Sequence, residues 1–526
     1  MIKNSKKVIN KKNFLYEALF VVAFLLSSFW LFSAIRSENF SLELIYSQNG
    51  AYIFILSLIA LTVSYLNRDK LKNWLSYVIR FLCNNIVAVF GVMILFQIVT
   101  LLFASGLSGY DVYGLYHAAM GDINSQKWTY LQNYPNNFLL FLFIRIVHSL
   151  TLLQILNIIA IDFSIAMSYF TAKRLFDKQT ARYSILLFIA TLGFSPWFLN
   201  TYSDTFVLPF VSLGIFFLTC WSEKSIAPHY RLMSLLSAGF FSSIAYYLKP
   251  SAIIFVIAYF LISILKLGKF KPFFISFLVF IIGALVFAMP FTLYKNNQNY
   301  VHFDKNKVFP MTHFLMLGIS KNGMYNGPDV QLTRSAKTAK EKKEVNIKVF
   351  KQRLKQLGIL GYAKFLYGKY CKTVHDGTYA WGADGAGKTG FLVTPNLNPS
   401  EKLSPFTRSN FGSFLRSFIY TDSNGQGYTN GKNTFFYRFI AQIIYIIMIF
   451  GILLSTLKSR YDFKVMWLLL SMIGLMLFLL LFEGGRSRYL IQTLPVFVIL
   501  AAYGYHSKFK EQIKKQIKNI TVKKII

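Results

Sequence analysis

Twelve apolar stretches run along the chain, separated by short polar clusters. They cover approximately 14–35, 50–66, 86–105, 151–172, 183–200, 205–221, 232–248, 252–266, 272–294, 437–457, 464–482 and 489–506. A bilayer core about 30 Å thick needs roughly 20 apolar residues per helix. The pattern therefore predicts an all-α polytopic membrane protein of about twelve transmembrane helices. The first stretch follows a polar lead, Met1–Lys12, that carries five lysines. It is longer than a signal-peptide core and no small-residue cleavage site follows, so it reads as an uncleaved first helix.

The polar clusters give the orientation. NRDKLKNWLSYVIR, AKRLFDKQTAR, LKLGKFK and LKSRYDFK fall on one side, together with the lysine-rich tail; Glu38, Glu43 and Asp204 fall on the other. Basic short loops stay in the cytoplasm, which places both termini there, in a multi-pass protein of the cell membrane.

Two long segments are expected outside. The first, 106–150, ends in a short apolar stretch that holds Arg145 and His148 and reads as an interfacial helix. The second, 295–436, has 21 Lys/Arg against 8 Asp/Glu, net +13. Loops of this length escape the positive-inside rule. Within it Ile347, Phe350, Leu354 and Leu357 recur at helical spacing, an amphipathic helix suited to the outer leaflet. Thr373–Gly431 is rich in Gly, Asn, Ser and Thr and reads as loops. The chain thus divides into a two-helix extension (1–85), a transmembrane core with its first external loop (86–294), the large external segment (295–436) and C-terminal helices with a basic tail (437–526).

Composition agrees: 55% of the 526 residues are hydrophobic and only 15% charged, with mean hydropathy +0.45. Net charge is +35. In a soluble protein that balance suggests nucleic acid. Here the lysines hold cytoplasmic loops against anionic headgroups, so membrane lipids are expected partners and nucleic acid is not. Cys83, Cys220 and Cys371 are too scattered for an intrachain disulfide or a zinc site.

Chemistry concentrates where charge meets the membrane edge. The external loop reads GYDVYGLYHAAMGDINSQKWTYLQNYPNN. Asp111, just beyond the third span, is placed to act as a general base, the alternative being a helix cap. Tyr116, His117 and Asn136 follow it as candidate cavity residues, with Asp329 in the large segment. Asp204, Lys249, Arg486 and Arg488 lie at outer span ends. Boundary charges are costly and default to function, or snorkel to headgroups. Asp162, with Asn157 nearby, is mid-span and wants a partner.

Two patterns carry less. GADGAGKT (382–389) fits the phosphate-loop spacing, but it lacks the flanking strand and helix and reads as a flexible glycine loop. His302, Asp304 and His313 fit no metal-ligand spacing; no metal is expected, and nothing calls for a cofactor.

The order of parts resembles the GT-C membrane glycosyltransferases, which include the protein O-mannosyltransferases and the lipid A aminoarabinose transferases. The matching residues are Asp111, Pro135, the basic turn Arg174-Leu175-Phe176, Asp204, and EGGRSRYLIQTLPVFVILAAYG (483–504). The resemblance spans most of 86–300 and 437–506. It departs at the lone Asp111, where the mannosyltransferases carry an Asp-Glu pair, at two extra leading spans, and at 295–436. It implies a sugar donor on a polyprenyl phosphate and an acceptor of the cell envelope on the outer face. Asp111 would act on the acceptor hydroxyl, Asp204 would orient the donor or pair with one of the nearby cations, and Lys249, Arg486 and Arg488 would hold the donor phosphate. The basic outer segment suits an anionic polymer or lipid acceptor. The rival readings are a transporter or flippase of lipid-linked sugars, which Asp162 would serve, and a non-catalytic assembly partner acting through 295–436.

Overall fold

The structure is a computed structural model. It describes residues 2–40, 58–60, 62–104, 111–121, 130–267, 270–299, 301–321, 323–381, 409–419, 433–457 and 462–506, without the side chains of 2–13, 111, 113, 267, 413 and 435. The expected span at 50–66 and the glycine loop at 382–389 fall wholly or largely outside them.

In chain order the principal helices are α1 (Ile2–Ile35), α2 (Arg68–Asn84), α3 (Ile86–Phe103), α4 (Asp111–Ala119), α5 (Phe138–Val147), α6 (Leu150–Leu175), α7 (Lys178–Phe188), α8 (Leu208–Ser222), α9 (Pro228–Leu248), α10 (Ile254–Leu267) and α11 (Phe270–Asn297). The segment 295–436 supplies α12 (Met311–Gly318), α13 (Gly327–Ser335), α14 (Ala339–Val374) and α15 (Asn410–Arg416). Then come α16 (Thr434–Thr456), α17 (Phe463–Leu481) and α18 (Ser487–His506).

The protein is an all-α, multi-pass membrane architecture, with eight helices among the described residues long and apolar enough to cross a bilayer. Of the other expected spans, 232–248 lies within the continuous α9 and 252–266 within the 3-10 turn Pro250–Ile253 and α10, whereas 183–200 is broken. The stretch 183–200 is α-helical only to Phe188, passes through a π turn at Ile189–Gly193, and ends in a 3-10 turn at Pro196–Leu199. α9 opens on Pro228 with Arg231 in its first turns, and Pro250 separates it from the short α10.

The break after α7 is held by polar side chains from neighbouring helices. Asn157 Nδ2 donates to the carbonyls of Trp197, Phe198 and Asn200 at 3.0, 2.9 and 3.1 Å. Gln154 Nε2 donates to Leu199 O and Gln97 Nε2 to Gly193 O, both at 3.0 Å. Irregular backbone at membrane depth survives only where protein satisfies it. Gln97 also donates to Asp162 at 2.9 Å, so the mid-span acid has a local partner.

Glycines set two close crossings. A methyl at Gly239 of α9 would lie 2.1 Å from Phe280 O of α11, and one at Gly283 of α11 would lie 2.1 Å from Leu236 O. A methyl at Gly504 would meet Gly451 O of α16 at 1.9 Å. Small residues let membrane helices pack backbone to backbone.

Within 295–436, α14 differs from its amphipathic expectation. Ile347 is exposed, while Phe350, Leu354 and Leu357 are half-buried. The buried positions near its start are polar: Lys342 and Asn346, with Arg353 paired to Asp329. The helix kinks at Gly358 (φ 62°), beyond which Ile359 and Leu360 are almost fully exposed. The expected loop 373–431 includes α15.

Candidate functional site

Three chain segments far apart in sequence converge at one end of the helix bundle. The first is Tyr202–Phe206. Its extended Tyr202 leads into a single helical turn, Ser203–Phe206, ahead of α8. Asp204 sits in that turn, fully buried, where the helix N-terminus favours a carboxylate. The second segment is Lys249–Ile253. Proline disfavours a helical residue before it, and Lys249 is accordingly extended (φ −157°, ψ 103°), ending α9. The third is Arg486–Thr493, a 3-10 helix that follows the left-handed Gly485 (φ 74°).

Lys249 Nζ forms an ion pair with Asp204 Oδ1. Arg488 Nη1 faces Asp204 Oδ2 at 3.6 Å, an ion pair too long for a hydrogen bond. The Arg488 guanidinium lies over the rings of Tyr202 and Tyr489 at 5.0 and 4.9 Å, and Lys249 Nζ lies 5.1 Å from the Tyr489 centroid. Ser251 Oγ donates to Gln492 Oε1 at 2.9 Å, tying the second segment to the third. Two cations thus share one buried carboxylate within an aromatic wall. Such groups stay oriented when an anion arrives, and they act strongly in a site of low dielectric.

The sequence candidates Asp204, Lys249 and Arg488 are therefore brought together. Arg486 is two residues from Arg488 and half-buried. Asp111 opens α4, but its side chain lies outside the described residues. Tyr116 and His117 are half-buried on the same helix, and Asn136 is exposed. The loop bearing Asn136 is anchored by Lys295 Nζ, which donates to Pro135 O at 2.8 Å.

Asp329 is not brought to this cluster. Both its oxygens accept from Arg353, at 2.7 Å each. The reason is local: α13 and α14 pack together, and a buried carboxylate there needs a cation. His313 belongs to the same contact, with Nδ1 2.7 Å from Thr333 Oγ1. Burial pulls its imidazole down to about 4, with Lys342 adding to the shift and Asp329 opposing it. Because the folded value lies below the ordinary 6.5, the unfolded chain binds more protons between the two. The α12–α14 unit is expected to lose stability as pH falls from 6.5 toward 4, and His313→Gln to flatten that loss; thermal unfolding across pH measures both.

Sequence reasoning passed over two residues that position the cluster. Asp376 is buried and accepts from Asn39 Nδ2 (2.8 Å), Thr378 N and Oγ1 (2.8 and 2.7 Å), Ala380 N (2.7 Å) and Ser487 Oγ (3.3 Å). It joins the 3-10 turn Glu38–Phe40 after α1, the turn at Thr378–Ala380 and the residue between Arg486 and Arg488. Lys369 is buried and donates to Gly318 O, Leu480 O and Phe482 O, covering the carbonyl end of α17 just before the arginines. Asp376 is one acid in a stretch read as loop and Lys369 is one lysine among several, with Lys364 and Lys372 close by, so the signal was visible but not distinctive.

No curated protein matches the chain. Two solved structures are similar to it: ArnT from Cupriavidus metallidurans in the apo state, and the same protein bound to undecaprenyl phosphate. Each covers 79% of this chain and 77% of its own, at 12% identity and TM-score 0.32. One family matches residues 6–509, nearly the whole sequence, and the chain belongs to it: the family described as conserved hypothetical integral membrane protein.

Proposed function

We propose that the protein is a membrane glycosyltransferase of the GT-C type, moving a sugar from a polyprenyl-phosphate donor to a cell-envelope acceptor on the outer face. The observation that carries this reading is the buried Asp204 shared by Lys249 and Arg488 at the ends of three membrane-embedded segments. The order of sequence motifs supports it.

In this scheme the acceptor hydroxyl attacks the sugar's anomeric carbon and gives its proton to Asp111. The bond from that carbon to the phosphate oxygen breaks, and polyprenyl phosphate leaves. Lys249 and Arg488, with Arg486 beside them, meet the charge that gathers on the departing phosphate. Asp204 keeps the first two cations aimed before the donor arrives. Tyr202 and Tyr489 supply a flat apolar wall. The basic outer segment would draw an anionic polymer or lipid as acceptor.

The test is sugar transfer in reconstituted membranes, with a panel of polyprenyl-phosphate sugars and envelope extracts. Asp111→Asn is expected to lower transfer by about 10²-fold or more while the protein stays folded. Equal transfer by the variant would move the base elsewhere. Absence of transfer from every donor by the wild type would overturn the reading.

A further inference from the structure

A cavity of about 550 Å³ lies at the other end of the bundle from Asp204. Three helices relate the two places. α8 begins beside Asp204 and ends at Ser222 and Glu223, which line the cavity. α10 follows Lys249 and ends at Lys266; α17 starts at the cavity with Phe463 and ends before Arg488. At 1.5 Å per residue these helices separate the sites by about 20–30 Å, so the cavity lies on the opposite membrane face and takes no part in the chemistry proposed above.

Its charge is one-sided. Arg174, Lys224, Lys266 and Lys464 line it, against Glu223 and Asp462. Glu223 is taken by Arg174 at 2.7 Å. Asp462 caps α17, its Oδ1 accepting from Lys464 N at 2.8 Å. Among the described residues neither Lys224 nor Lys266 meets a carboxylate; Lys266 Nζ lies over the Phe463 ring at 4.5 Å. Lys464 Nζ is steadied on Leu175 O, the carbonyl end of α6. With Arg174 and Glu223 cancelling, three ammonium groups therefore surround a concave space against the one carboxylate of Asp462, which is held on the start of α17. A cleft of one sign of charge with low-dielectric walls concentrates counter-ions. The volume is that of a small-molecule site and exceeds what a single phosphate needs.

We infer that this cavity is a second ligand site, which takes the phosphate group of an anionic lipid headgroup or of a soluble phosphate ester on Lys224, Lys266 and Lys464. The inference does not depend on the transfer reading, and its test uses no sugar donor.

The experiment compares wild type, K266Q/K464Q and the control K305Q/K321Q, full-length in detergent. Binding of added phosphatidylglycerol is read by native mass spectrometry, and the effect of millimolar pyrophosphate by thermal unfolding. If a lipid headgroup is the ligand, K266Q/K464Q binds phosphatidylglycerol about tenfold more weakly than wild type and control. If a soluble ester is the ligand, pyrophosphate raises the midpoint of wild type and control but not of K266Q/K464Q, and phosphatidylglycerol binds all three alike. Equal behaviour of all three proteins toward both probes overturns the inference. Should the double variant fail to fold, K266Q alone carries the same test, because Lys266 is exposed and its recorded contact is to one ring.

Discussion

Asp204→Leu is expected to unfold the membrane core at markedly lower temperature, whereas Lys249→Met leaves the protein folded and without sugar transfer. Removing Asp204 strands the buried Arg488 and the half-buried Lys249 against each other. Breaking a buried pair from one side costs about 3–5 kcal/mol. Lys249→Met is milder, because the remaining carboxylate still faces Arg488 at 3.6 Å and the methionine fills much of the lysine's volume. It nonetheless deletes a cation that the proposal assigns to the leaving phosphate, and loss of one such preorganised group costs about 10²–10³ in rate. Thermal unfolding in detergent and transfer in reconstituted membranes separate the two effects. Unchanged transfer by a folded Lys249→Met would show that the cluster is structural. Restored folding in Asp204→Leu combined with Lys249→Met, with transfer still absent, would show that stability and chemistry depend on the same charges for different reasons.

The second large effect is expected at Asp376. Its two oxygens accept five hydrogen bonds, two of them from the backbone N–H groups of Thr378 and Ala380. The intervening turn is unusual, since Tyr379 (φ 56°) and Ala380 (φ 65°) are both left-handed without being glycine. Such residues persist only where the surroundings over-determine them, at a cost of order 1–3 kcal/mol each. Asp376→Ala removes that restraint and leaves Asn39 and Thr378 short of an acceptor. A loss of about 3–5 kcal/mol follows from the unpaired buried donors. Asp376→Asn keeps the shape, yet its amide nitrogen must face donors on one side, so it is expected to fall between alanine and wild type. Thermal unfolding of the three proteins checks the order; equal midpoints would remove the restraint argument.

The membrane architecture was legible because it rests on one local quantity, the length of apolar runs. The breaks were less so. Gly193 and Pro196 are visible in the sequence, but the irregular stretch is tolerated only because Asn157, Gln154 and Gln97 meet its carbonyls from other helices. Part of the site was legible for a similar reason. Asp204, Lys249 and Arg488 stood out singly as charges at span ends, and the structure adds that they are one cluster. Asp376 was not legible, since its partners Asn39 and Ser487 are 337 and 111 positions away. Asp329 was placed with the cavity residues because the sequence does not display its pairing with Arg353 across the α13–α14 contact. The basic cavity went unseen because its lysines sit in ordinary cytoplasmic-looking loops, and only the fold gathers them around one space.

The contact between Gly239 and Gly283 bears on how two lysines are held in the molecule. With backbones touching at this crossing, α9 and α11 are fixed to one another near their midpoints. Toward the same end of the pair, α9 stops at Lys249, beside Asp204, and α11 carries Lys295, which donates to Pro135 O. The lysine that faces Asp204 and the lysine that holds the chain at Pro135 are thereby carried by one backbone-packed pair of helices, braced again near that end by Tyr247 and Thr292, whose hydroxyls lie 2.8 Å apart.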